Sequence, residues 1–196
     1  WPSLATAPTV NNASEDVAVI VAIEDYVFLP DVPGARQTAV EWEVFFEDGL
    51  GVSSVYSHVD QNATREQITS TLAKARSQVG ASGKLWFVFV GHGAPNKSGE
   101  GLLVGVDAQQ NFDSLSARGV EHAALMREIE TSQASQNIVI LDACFSGRAA
   151  DGALLAKGTQ PVIPLHAVVR TAAKTTVLTA AQGDELAGAL PGQNRP

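Results

Sequence analysis

Three short apolar runs, Val17 to Ile23, Leu85 to Val90 and Ile138 to Leu141, decide most of what this chain can fold into. They are too short to span a membrane and too continuous to leave one face in water. Each is expected to be a strand buried on both sides. Between them the pattern changes to that of helices. Ala39, Trp42 and Phe46 fall at helical spacing after a Pro-containing loop from Leu29 to Gly34, and Gly49 and Gly51 supply stop signals. Thr64 with Gln67 makes a capping box ahead of Ile68, Leu72, Ala75 and Val79, and Gly80 and Gly83 end that helix. A further helix is expected between Ser116 and Ser132, with Leu125 and Ile129 facing inward. Val52 to Val59 reads as a more polar edge strand, Gly101 to Val106 as a hairpin outside the main sheet, and Thr175 to Ala180 as a fifth strand. Strands alternating with helices imply an α/β fold whose mainly parallel sheet is covered on both faces by right-handed crossovers.

At 196 residues the chain is long enough for one well-buried core without a disulfide or metal staple. Its net charge of −8 argues against a nucleic-acid or anionic-membrane partner. The lone cysteine, Cys144, excludes an internal disulfide and any metal site of the Cys-cluster kind. Residues 1–14 read as an N-terminal arm or linker, and residues 15–196 as the domain. Within that domain, residues 145–174 are rich in Ala, Gly and Pro and are expected to form a mobile linker. A cytoplasmic location is expected, although a removed signal peptide would leave no trace in this sequence.

The chemistry is expected where parallel strands end, because ligands of open α/β sheets bind outside the carboxyl ends of the strands. The third strand runs into Gly91-His92-Gly93, and the fourth into Asp142-Ala143-Cys144-Phe145-Ser146-Gly147. A lone strand-end cysteine is commonly a small buried hydrophobe, and a lone His-Gly pair is commonly a loop feature. Both together at consecutive strand ends, each beside glycine, point instead to a thiol nucleophile and an imidazole that moves its proton. The glycines let a substrate backbone approach and leave N–H groups for an oxyanion.

The pieces LWFVFVGHG and IVILDACFSG resemble the His and Cys motifs of caspase-like cysteine peptidases of the metacaspase and bacterial orthocaspase type. Asp142, Cys144, Ser146 and Gly147 satisfy that type's Asp-x-Cys-x-Ser-Gly pattern, and the segment VPGARQTAVEWEVFFEDGLGV resembles its first loop and helix. The resemblance runs in element order from about Val17 to Leu190. It implies a three-layer α/β/α sandwich whose final antiparallel strand is expected to be missing here and supplied by a further C-terminal segment or fragment of the same protein. It also implies that Cys144 is the nucleophile, that His92 is its proton-transfer partner, and that the N–H groups of Gly93 and Cys144 form the oxyanion hole.

Protein or peptide substrates are the partners this implies. Asp142 is expected to line a pocket for a basic P1 side chain, since a carboxylate there would pair with a guanidinium. The family's second pocket acid falls on Thr38, and Asp184 or Glu185 is the candidate to compensate. No cofactor is expected to be required. Calcium remains an option through Asp107 and Asp151, two carboxylates against the six to eight oxygens that calcium takes. Self-cleavage is expected in the 145–174 linker, after Lys157 first and Arg170 second, with Arg148 too near Cys144. The alternatives are a caspase-type preference for an acidic P1 and a caspase-homologous scaffold without useful activity. His58, His122 and His166 read as surface residues, and Trp86 and Phe87 as core.

Overall fold

The structure, a computed structural model, describes residues 12–143 and 174–179. Among these residues five parallel strands make the main sheet: β1 (Val17–Ala22), β2 (Ser54–Val59), β3 (Lys84–Val90), β7 (Gln136–Asp142) and β8 (Thr175–Thr179). Their spatial order is β2-β1-β3-β7-β8. The chain first steps outward from β1 to β2, then returns across β1 to β3 and continues the other way. Strand order therefore reverses between β1 and β3, the position where open α/β sheets form a ligand crevice. Every residue of β1 is buried, as a strand covered on both faces requires, and the more polar β2 lies at the edge.

Helix α1 (Ala35–Val44) widens into a π-helical turn, Phe45–Leu50, and stops at Gly51, whose φ of 73° a side chain would resist. Its inner face joins Trp42, Phe46 and Trp86 in one aromatic cluster, with ring centroids 5.4 Å apart for Phe46 and Trp86. Phe87 is fully buried, while Trp86 is half-buried at the cluster's margin. Helix α2 (Arg65–Gln78) starts on the expected capping box, with Thr64 and Gln67 satisfying each other's N–H groups. Ile68, Leu72 and Ala75 bury its inner face.

The expected hairpin is larger than its sequence suggests. Strands β4 (Gly93–Pro95), β5 (Gly101–Val104) and β6 (Gly119–Glu121) form a separate antiparallel sheet. The single helix expected between Ser116 and Ser132 is corrected accordingly. Helix α3 (Phe112–Arg118) and helix α4 (His122–Glu130) are separated by β6, which pairs with β5. Leu125 and Ile129 do face the core. His122, expected at the surface, is 5% exposed at the start of α4, and His58 on β2 is half-buried with its Nε2 2.7 Å from Thr71 Oγ1.

A buried carboxylate clips the amino ends of β1 and β3 together. Asp16 accepts from the Lys84 N–H and from Trp86 Nε1, both at 2.9 Å. Replacing Asp16 with alanine leaves both donors without this acceptor, a cost of about 1–3 kcal/mol. Urea unfolding should show a lower midpoint with an unchanged slope; a midpoint within error of wild type would show that the clip is dispensable.

Candidate active site

Register places the two expected catalytic strand ends side by side. Val90 of β3 pairs with Asp142 of β7, and the Gly91 N–H continues the ladder to the Asp142 carbonyl at 3.2 Å. On the other flank, Ile23 N donates to the Val90 carbonyl at 2.9 Å, which brings the loop after β1 against the loop after β3. His92 thus emerges at the switch point between β1 and β3.

Its imidazole is 5% exposed and held from two sides by that first loop. Nε2 lies 2.7 Å from the carbonyl oxygen of Pro30. A carbonyl can only accept, so Nε2 carries the proton and Nδ1 keeps the lone pair. The Tyr26 ring packs on the imidazole with centroids 4.7 Å apart. Burial pushes the His92 pKa below its ordinary value, opposed by the Pro30 hydrogen bond and by Asp31. The result is a neutral imidazole with one oriented basic nitrogen.

Gly93 follows directly, in the edge strand β4. Its partner in register is Leu103. Hydrogen bonds run from Val104 N to the His92 carbonyl at 3.0 Å and from Asn96 N to the Glu100 carbonyl at 2.8 Å. In an antiparallel ladder bonded and non-bonded pairs alternate, so the Gly93–Leu103 pair is non-bonded and the Gly93 N–H points away from β5. Asp142 ends β7 half-buried, and burial raises its carboxyl pKa.

The loop that holds His92 is itself held by a charge network that sequence reasoning missed. Glu24 accepts from the N–H groups of Gly34 at 3.1 Å and Arg36 at 3.2 Å, capping a helix that has no local cap. Asp60, at a φ of 48°, accepts from the N–H groups of Glu24 at 2.8 Å and Asp25 at 2.9 Å. The Arg36 guanidinium pairs with Asp60 and Asp25, and lies 3.7 Å from Glu24. Tyr26 and Pro30 were missed as well. The signal available was a Pro-rich loop directly after the first buried strand.

Other expected site residues fall elsewhere. Asp107 pairs with Arg118 at 3.2 Å, so a guanidinium already sits beside that calcium candidate. Among the described residues no group of three or more His, Cys, Asp or Glu is placed to hold a metal ion. Thr38 is spent on its own helix, donating to the Gly34 carbonyl at 3.1 Å. Cys144, Asp151, Lys157, Arg170, Asp184, Glu185, Arg148 and His166 lie outside the described residues. No helix among the described residues is long and apolar enough to cross a membrane.

Comparison with known proteins adds a family. No curated protein matches the chain. A crystal structure of a Geobacter sulfurreducens protein is similar at 15% identity and a TM-score of 0.48, covering 66% of this chain and 50% of that one. The chain thus spans about half the length of that solved structure. A family model described as the caspase domain matches residues 15–193, nearly the whole sequence. On that match the chain belongs to the caspase domain family of C14 peptidases.

Proposed function

We propose that the protein is a cysteine endopeptidase of metacaspase or orthocaspase type that cleaves after Arg or Lys, with His92 and Cys144 as its catalytic pair. The observation that carries this reading is the Pro30 carbonyl on His92 Nε2, because it commits the imidazole to the tautomer whose Nδ1 can take a proton. Register supports the partner. Cys144 follows Asp142 by two residues, within about 7 Å of chain, as His92 follows Val90.

In this mechanism the Cys144 thiol gives its proton to Nδ1 of His92, and the thiolate attacks the scissile carbonyl. The oxyanion accepts from the N–H groups of Gly93 and Cys144. The imidazolium then protonates the departing amine as the C–N bond breaks, leaving a thioester on Cys144. A water molecule, deprotonated by His92, hydrolyses the thioester and frees the acid and the thiol. Every proton passes through Nδ1 while Nε2 stays on Pro30.

Asp142 supplies the preference for a basic P1. Arg36, a cation beside the loop that holds His92, is already engaged by Glu24, Asp25 and Asp60. The test compares arginyl peptides with citrullyl peptides, which share the shape of arginine without its charge. At neutral pH kcat/KM should favour arginyl by about 10–150-fold, the worth of a hydrogen bond to a charged group at about 1.5–3 kcal/mol. Protonating Asp142 removes the charge that the guanidinium reads. Because burial raises that carboxyl pKa, the ratio should fall toward one with a midpoint above the usual carboxylate range. Ionisation of His92 and Cys144 cancels in the ratio. Asp142→Asn should abolish the preference, and faster cleavage of aspartyl peptides would overturn it.

A further inference from the structure

The antiparallel ladder between β4 and β5 is interrupted at the residue that matters most. His92 stands opposite Val104, and Val104 N donates to the His92 carbonyl at 3.0 Å. An ordinary bonded pair would also exchange the reciprocal bond, from the His92 N–H to the Val104 carbonyl. Here the Tyr26 hydroxyl stands between them. It accepts from His92 N at 2.8 Å and donates to the Val104 carbonyl at 3.2 Å. Tyr26 is 7% exposed, and burial holds its phenol well above the ordinary tyrosine pKa, so the hydroxyl keeps the proton that it donates.

We infer that Tyr26 is a positioning residue, a wedge whose hydroxyl spreads the His92–Val104 backbone pair and so fixes where the imidazole stands. The inference rests on the peptidase reading for its kinetic consequence, though not for its geometry. Two further facts fit a wedge. The Tyr26 ring packs on the imidazole it positions, so backbone and side chain of His92 are set by one residue. Space for the hydroxyl is kept open by Gly91, where an added Cβ would lie 2.6 Å from Tyr26 Oη. The segment from Tyr26 to Pro30 thereby grips His92 at its N–H, its ring face and its Nε2.

Tyr26→Phe removes the hydroxyl and keeps the ring. Without the wedge the backbone pair can close to a direct bond, drawing His92 toward β5. A displacement near 1 Å at a catalytic group can cost about 100-fold in rate. The expected result is a fall in kcat of about 10–100-fold on arginyl peptides with KM within about threefold, since substrate contacts are untouched. Gly91→Ala reaches the same hydroxyl from the other side and should give the same split. In the double variant the clash with the hydroxyl is gone and only the milder contact with the Phe89 ring, at 3.1 Å, remains, so Gly91→Ala should cost less in the Tyr26→Phe background than in wild type.

A crystal structure of Tyr26→Phe supplies a readout that needs no turnover. The imidazole should shift against the Pro30 carbonyl, and the His92 N to Val104 O distance should shorten. An unmoved imidazole overturns the wedge whatever the activity. A displaced imidazole with wild-type kcat overturns the positioning role. A displaced imidazole in a protein whose wild type cleaves no peptide overturns the peptidase reading and leaves the wedge standing.

Discussion

Alanine at position 92 is expected to lower kcat by about 10²–10⁴-fold, the usual worth of a positioned acid–base group. The same change should remove the low-pH reactivity of Cys144. A thiol that can pass its proton to the neutral Nδ1 ionises as a thiolate–imidazolium pair below the ordinary value of about 8.5, so iodoacetamide at pH 6 should alkylate the native protein faster than a model thiol. His92→Ala should erase that excess. Alanine also removes a buried ring packed on Tyr26 and the donor to Pro30, so lost folding could imitate lost chemistry. His92→Gln separates the two. It can still donate an N–H to the Pro30 carbonyl but offers no nitrogen base, so it should be more stable than the alanine variant yet as inactive. A loss below tenfold in either variant, at wild-type fold, would remove His92 from the chemistry.

Much of the scaffold around that imidazole was legible because burial on two faces writes itself into a sequence. β1 is an unbroken apolar run, β3 is one from Leu85 onward, and α2 carries both its capping box and its apolar stripe. The split between α3 and α4 was not legible. Gly119, Val120 and Glu121 are too few to show a strand's alternation, and only their pairing with β5 makes that stretch a strand. His92 stood out through its glycines and its strand end. Its two supports did not, for a physical reason. Pro30 acts through a backbone carbonyl, which every residue possesses, so no side-chain pattern announces it. Tyr26 acts through bonds to residues 66 and 78 positions away, which exist only once both sheets have assembled. The candidate side chain is local information; its orientation is tertiary information.

The same distinction shapes the charge network behind the loop. Glu24, Asp25, Arg36 and Asp60 are unremarkable singly and come from three separate segments. Brought together they cap α1 and tether the turn that presents Pro30. At the exposed end of this network the ion pairs count for little in stability. Their consequence is geometric, because the turn they fix carries the acceptor of His92.

Loss of a ring beneath this site should be felt in both stability and rate. Phe87 and Phe89 point to the same face of the central strand β3, and both are fully buried. Truncating either to alanine should cost about 3–5 kcal/mol through lost burial and the cavity left behind. For a chain of this size that corresponds to a fall in Tm of about 6–20 °C. The two variants should differ in catalysis. The Phe89 ring lies 3.1 Å from where a Cβ on Gly91 would stand, directly under the turn that leads into His92. Phe87 sits one strand repeat further from that end. Measured well below both melting temperatures, Phe89→Ala should lower kcat severalfold per folded molecule while Phe87→Ala leaves it near wild type. An equal loss in both would mean that the whole sheet has softened and that the ring under Gly91 plays no particular part. Equal stability loss with unequal rates would place the dependence of His92 on its floor as well as on its wedge. The imidazole would then be set from three directions: by Pro30 at Nε2, by Tyr26 at the backbone, and by Phe89 beneath the turn.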